Sequence, residues 1–261
     1  MKRIGLTAAL ALAAAAAQAG GDKVAFPVNY DKGVLYATVD RHDIKQYREL
    51  WSTPAAVEAA KAGKPAPSGT VLTLVQYKAK VDDKGAPVKD AKGRFQKGDL
   101  VAYTVMEKRA GWGAEYPSDL RNGEWEYQVF GATRAVNDKA NLKTCFQCHK
   151  PHAGQDYVIS LASLGGKAAG GAVAAQAGPD RVAIASFLFG PEKLSVRNNQ
   201  YVTWTNTDDS PHQVTITGPK AQRSTIALKG QSTQLTLADA GIYDYICGLH
   251  PAMKGKIEVK E

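Results

Sequence analysis

The chain has 261 residues, 44% of them hydrophobic, with a formal net charge of +8. That length exceeds one ordinary domain and leaves room for two cores. Lysines and arginines are dispersed, with no basic run and no interleaved aromatics, so a nucleic-acid partner is not expected.

Residues Met1–Ala19 read as a secretory signal. Lys2 and Arg3 give a positive start, Ile4 to Ala17 an apolar stretch, and Ala17-Gln18-Ala19 a small-x-small cleavage site. The apolar stretch is too short and alanine-rich to span a bilayer, and no other segment is a membrane-span candidate. An exported, periplasmic chain that does not cross a membrane is expected. Without this segment 31 basic residues face 25 acidic ones. That mild excess suits an acidic redox partner or a membrane surface, or is simply a solvated face.

Residues 21–164 form the first expected domain. An extended lead-in runs from Gly33 to Val39. A helix is expected from Asp43, which offers a cap, with Gln46 three residues on and Tyr47, Leu50 and Trp51 as an apolar stripe. Pro54 starts a second short helix. Strands follow at Val71–Lys80, Leu100–Arg109 and Glu124–Phe130, the last alternating Trp125, Tyr127 and Val129 against Glu124, Glu126 and Gln128. Turn-rich segments 82–98 and 110–123 separate them. The expectation is an antiparallel sheet with a helical flap.

The most specific motif is Cys145-Phe146-Gln147-Cys148-His149. Two thiolates at this spacing add to the two vinyl groups of a haem, and the adjacent imidazole reaches the iron from the same side. A redox dithiol, half a zinc site or a structural disulfide uses the same cysteine pair. Zinc needs two more ligands, and only His152 is near.

The segments LYATVDRHD, GTVLTLVQYKAK, GRFQKGDLVAYTVMEKR, EWEYQVFG and CFQCHKPHAGQDYVISLASL resemble the cytochrome P-460 and cytochrome c′-beta family over Gly33 to Leu164. The resemblance implies thioether links at Cys145 and Cys148 and His149 as the axial ligand. It also implies one covalent haem c with an open distal side, a mainly β fold and a homodimer. Family members with a lysine cross-linked to the haem oxidise hydroxylamine, and those with an apolar distal pocket bind nitric oxide. Leu74 stands where that lysine is expected. Lys78 shares its strand face but lies four residues on, roughly 13 Å along a strand. Candidates for the sixth iron position are His42, His152 and Met106. They read as a surface residue, one too close in sequence to the proximal ligand, and core filler. Glu107 and Glu126 are the acids an enzymatic distal site would draw on.

Residues 165–179 are low-complexity Gly/Ala and read as a flexible tether, its span on the order of 20 Å. Residues 180–261 then show short strands at Arg181–Phe189, Lys193–Arg197, Tyr201–Thr205, His212–Thr217, Ser224–Leu228, Thr233–Leu237, Ile242–Ile246 and Gly255–Val259, the spacing of a β-sandwich. His212, Cys247, His250 and Met253 supply the donor set of a trigonal His₂Cys copper site with a weak axial Met. The alternative, a buried free cysteine with two surface histidines, leaves the odd thiol of an exported chain unexplained. A binuclear copper centre lacks its second loop cysteine, and a nitrite-reductase type of copper site lacks the further histidines.

Val202 to Asn206, Pro211-His212, Gly241 to Tyr245 and the ligand loop resemble the cupredoxins, with a short amicyanin-like loop. That implies a Greek-key sandwich holding one type 1 copper. Gln213 departs from the family, since plastocyanins carry Asn after the first histidine. Leu249, Pro251 and Ala252 surround His250 as a small apolar patch suited to an electron port. The whole reads as a periplasmic two-centre redox protein coupling a haem that binds a small ligand such as nitric oxide to a blue-copper site. The alternative is a haem enzyme that oxidises hydroxylamine or turns over nitric oxide, with copper as its built-in acceptor or donor.

Overall fold

The computed structural model describes residues 23–166, 178–218 and 220–261. The expected signal segment and most of the expected tether lie outside them. The first five strands are β1 (Val34–Arg41), β2 (Gln46–Ser52), β3 (Thr70–Ala79), β4 (Lys97–Lys108) and β5 (Trp125–Gly131). They form one antiparallel sheet in sequence order, each strand pairing with the next.

The helix expected from Asp43 is absent, because Gln46–Ser52 is a strand paired on both sides, with β1 and with β3. Tyr47, Leu50 and Trp51 fit a helical stripe, but two ladders of backbone hydrogen bonds outweigh local propensity. Asp43 caps nothing and instead grips the Arg41 guanidinium at 2.6 and 2.8 Å. Pro54 does open a helix, α1 (Pro54–Lys61). Segment 82–98 folds as two similar turns, in which Asp82 Oδ1 accepts the N–H groups of Lys84 and Ala86, and Asp90 Oδ1 those of Lys92 and Arg94. Gly85 and Gly93, at φ 75° and 77°, take the left-handed backbone these turns require.

Strand alternation gives the sheet two apolar faces. One carries Val75, Tyr103, Val105 and Phe130, packed under Val24 and Phe26. The other carries Leu72, Met106 and Tyr127 and is covered by α1, α2 (Lys143–His149) and α3 (Leu161–Leu164) through Val57, Phe146 and Leu164.

The remaining strands are β6 (Arg181–Ala185), β7 (Leu188–Gly190), β8 (Lys193–Arg197), β9 (Tyr201–Asn206), β10 (Val214–Ile216), β11 (Ser232–Thr236), β12 (Gly241–Cys247) and β13 (Lys254–Lys260). They build two four-stranded sheets, β10-β12-β13-β8 and β11-β9-β6-β7, around Ile184, Trp204, Leu237, Tyr245 and Ile257. The single strand expected over Arg181–Phe189 is broken at Ser186 and Phe187, both at positive φ. Ser224–Leu228 is not a strand. Its strand-like pairing is limited to the isolated bridge His212↔Ala227, with a second bridge, Thr215↔Arg223, just before it.

Candidate functional site

Helix α2 carries the Cys-x-x-Cys-His run. Phe146 is fully buried against Tyr127 and Tyr116, with ring centroids 4.7 and 6.0 Å away, and so pins the helix to the sheet. The Cys145 and Cys148 thiols are both free. Burial, then the neighbouring Cys148, pushes Cys145 up to about 11. Burial also raises Cys148, opposed by Arg41 and Arg48 and reinforced by the charge of Cys247 on the far side of the boundary between the two halves.

After the helix the chain turns through Asp156 and Tyr157, at φ 51° and 60°. Lys108 Nζ (2.8 and 2.9 Å) and the Ala66 N–H (2.9 Å) hold the Asp156 carboxylate, fixing that turn. The Tyr157 carbonyl accepts the His149 Nδ1–H at 2.7 Å, which leaves Nε2 as the nitrogen able to bind a metal. Burial pulls His149 down to about 4, so its imidazole is neutral at physiological pH.

Cys148 and His149 open onto a cavity of about 650 Å³, within the roughly 300–1,000 Å³ of cofactor and ligand sites. Its floor is Leu50, Leu72, Leu74 and Met106 with Thr104. A planar cofactor attached at α2 and ligated by His149 fits this apolar bed. Of the two distal-pocket candidates, Leu74 lines the cavity, whereas Lys78 is exposed and does not. Among the described residues no lysine lines it. His42, expected at the surface, instead lines the cavity and stacks against Phe95 with centroids 4.5 Å apart. His152 is buried and does not line the cavity; Met106 belongs to the core and also lines the cavity. Glu107 and Glu126 pair in register on the opposite face of the sheet, where Glu107 accepts from Arg109 at 2.6 Å. Neither acid lines the cavity. Sequence reasoning missed Arg41 and Arg48, which do. Burial and the neighbouring Arg41 lower Arg48 to about 9.

The second cluster lies at one end of the sandwich. His212 Nδ1, Cys247 Sγ and His250 Nδ1 form a triangle with sides of 3.4, 3.5 and 3.6 Å. A point equidistant from the three lies about 2.0 Å from each, the length of a metal–imidazole bond and a little short of a metal–thiolate one. This is the one such group of potential metal ligands among the described residues. Met253 is buried in the same core cluster as Cys247, and the loop is closed by its own backbone, with Met253 N–H donating to His250 O at 2.9 Å and Cys247 N–H to Met253 O at 3.1 Å. Burial pushes the Cys247 thiol up, but contacts from His212, His250 and the Gln213 N–H outweigh it and hold the thiol at about 5. The Gln213 side chain turns away to the Ser224 carbonyl (2.9 Å), so this residue serves the loop through its backbone, accepting the Gly248 N–H at 2.7 Å.

A family model described as Cytochrome P460 matches residues 27–160, or 134 of the 261 residues. The chain belongs to the cytochrome P460 family. A second model, Cupredoxin-like domain, matches residues 157–259. Amicyanin of Paracoccus denitrificans is 32% identical over 136 residues, covering 51% of this chain and 87% of that protein. Amicyanin-alpha of Methylorubrum extorquens is 36% identical over 90 residues, covering 33% of this chain and 76% of that protein. A solved Cu(I) form of an amicyanin mutant is 36% identical over 31% of this chain and 80% of that one, with a TM-score of 0.29. By the second model match and the amicyanin identity, this P460 chain has a cupredoxin domain as well. It is a mainly β redox protein of the c-type haem and type 1 copper classes. Among the described residues no helix is long and apolar enough to cross a membrane.

Proposed function

We propose that the chain is an exported electron-transfer protein whose haem c, open on its distal side, binds a small ligand such as nitric oxide and exchanges electrons with a type 1 copper site. Cys145 and Cys148 would carry the haem and His149 its iron; His212, Cys247 and His250 would hold copper, with Met253 as a further, weak thioether donor. The haem supplies a ligand-binding iron and the copper a one-electron couple. The chain's own contribution is to keep the His149 imidazole neutral and oriented by Tyr157, to keep Cys247 ionised, and to shape an apolar bed for the ligand.

The observation that carries the reading is the cavity floor. Leu72, Leu74 and Met106 floor the cavity and no lysine among the described residues lines it, Lys78 being exposed, which supports ligand binding over a lysine cross-linked hydroxylamine oxidase. Periplasmic location and a homodimer belong to the same proposal, because haem c is attached after export and the family resemblance implies a dimer. The enzymatic alternative draws support from Asp209, a carboxylate on the cavity wall.

Spectra of the purified protein, oxidised and reduced, with and without nitric oxide, test this. An ordinary Soret band that shifts with nitric oxide is expected. The long-wavelength ferrous band that names the P-460 enzymes would move the assignment to the hydroxylamine oxidase. Cys247→Ser should bleach the intense thiolate-to-copper band while leaving the haem spectrum in place. A wild-type protein that shows no such band after copper loading rules out the blue-copper site.

A further inference from the structure

The cavity that exposes Cys148 and His149 is not made by the P460 half alone. Ala185, Ser186, Phe187, Asp208 and His250 of the cupredoxin half form its opposing wall. His250, one of the three clustered metal-binding side chains, thus opens onto the same space as His149. Three contacts hold the wall in place. The Arg41 guanidinium lies 3.8 Å from the centroid of the Phe187 ring. The Ser163 hydroxyl donates to Asp209 Oδ2 at 3.3 Å. Val39 packs against the core of the sandwich.

Phe187 is built into this position. Its backbone and that of Ser186 adopt the left-handed conformation, φ 58° and 52°, which non-glycine residues adopt at a cost. Both N–H groups are captured by the Asp208 carboxylate, at 2.5 and 2.9 Å. The ring thereby stands edge-to-face against His250 and His212, with centroids 5.0 and 5.4 Å away. Arg41 keeps its own charge matched by Asp43, so the guanidinium plane is free to cover the ring.

We infer that the cupredoxin domain is a fixed wall of the haem pocket, and that the Arg41–Phe187–His250 contact is where the two centres exchange electrons within one molecule. The inference rests on the haem and copper reading above. The step moves one electron and no proton: ferrous haem becomes ferric as Cu(II) becomes Cu(I), or the reverse, with the two potentials setting the direction. Leu249, Pro251 and Ala252 on the ligand loop remain exposed and do not line the cavity, so the loop stays open to an outside redox partner.

The test uses the full chain loaded with haem and copper. One electron is injected by pulse radiolysis, and its redistribution is followed at the Soret and thiolate-to-copper bands. The expected rate is independent of protein concentration. It falls about tenfold in Phe187→Leu and by a smaller factor in Arg41→Lys, which keeps the charge but not the flat stack. A second readout is the Cu(II) electron-spin relaxation, which ferric haem should accelerate in the wild type and less so in Phe187→Leu. A rate proportional to protein concentration, or wild-type rates and relaxation in both variants, overturns the inference while leaving the cofactor assignments standing. Loss of either absorption band from the loaded wild type overturns both.

Discussion

The Asp208 carboxylate sets two geometries at once. It accepts the Ser186 and Phe187 N–H groups and, at 3.0 Å, the Nε2–H of His212, turning His212 Nδ1 towards Cys247. Burial pushes Asp208 up, but His212 and those backbone donors outweigh it and hold the group ionised. Carboxylates behind metal-binding histidines fix the tautomer and ring orientation, and removing one weakens metal binding about 10- to 100-fold. Asp208→Asn keeps the size but has one acceptor oxygen for three donors, so copper affinity should fall in that range. A chelator competition read at the thiolate-to-copper band measures it, and an unchanged affinity would show that the 3.0 Å contact does not orient the ligand.

At the scale of elements, β12 and β13 depend on one cross-strand pair. Tyr245 stands directly opposite Gly255, and its ring lies across the glycine. A Cβ at 255 would clash with the hydroxyl-bearing edge of that ring, which cannot retreat because Phe189 and Trp204 pack on it at 4.8 and 5.4 Å. Gly255→Ala should cost about 1–3 kcal/mol, seen as a lower denaturant midpoint for the copper domain, whereas Gly154→Ala, with open space around it, should cost far less. Burial raises the Tyr245 phenol to about 12. The fold thus favours the neutral form, a contribution complete below the unfolded value of about 10 and lost as pH rises through about 12. Tyr245→Phe should flatten that alkaline loss in pH-dependent melting. The β3, β4 and β5 strands and the Cys-x-x-Cys-His motif were legible because period, turn residues and motif spacing are local signals; that the motif sits on a helix was not read from the sequence. Strand β2 was not, since a helical stripe over Tyr47, Leu50 and Trp51 was overridden by pairing to β1 and β3. Nor was the break at Ser186–Phe187, which contains no glycine and is held by Asp208, 21 residues away. The metal-binding set was readable from residue types, but that it shares a cavity with His149 was not, since Arg41, Phe187 and Asp209 each look ordinary in sequence.

At the scale of the molecule, the chemistry of the boundary decides how it responds to salt. Among the described residues no ion pair joins the two halves. Arg41 is matched by Asp43 within its own half, and Asp209 by Lys229 (2.6 Å) within the other. What spans the boundary is a guanidinium on a ring, an apolar contact from Val39 and one hydroxyl–carboxylate bond. A desolvated stack of that kind is worth about 2 kcal/mol and is little screened. Raising ionic strength from about 10 mM to about 1 M shortens the Debye length from about 30 Å to about 3 Å, which weakens attraction between exposed charges but not such a stack. Electron redistribution between haem and copper should therefore change by less than about twofold over this range, while exchange with an acidic outside partner, drawn by the protein's net positive charge, should slow steeply. A steep fall in the internal rate with salt would mean that charge, and not the Arg41–Phe187 stack, brings the two domains together.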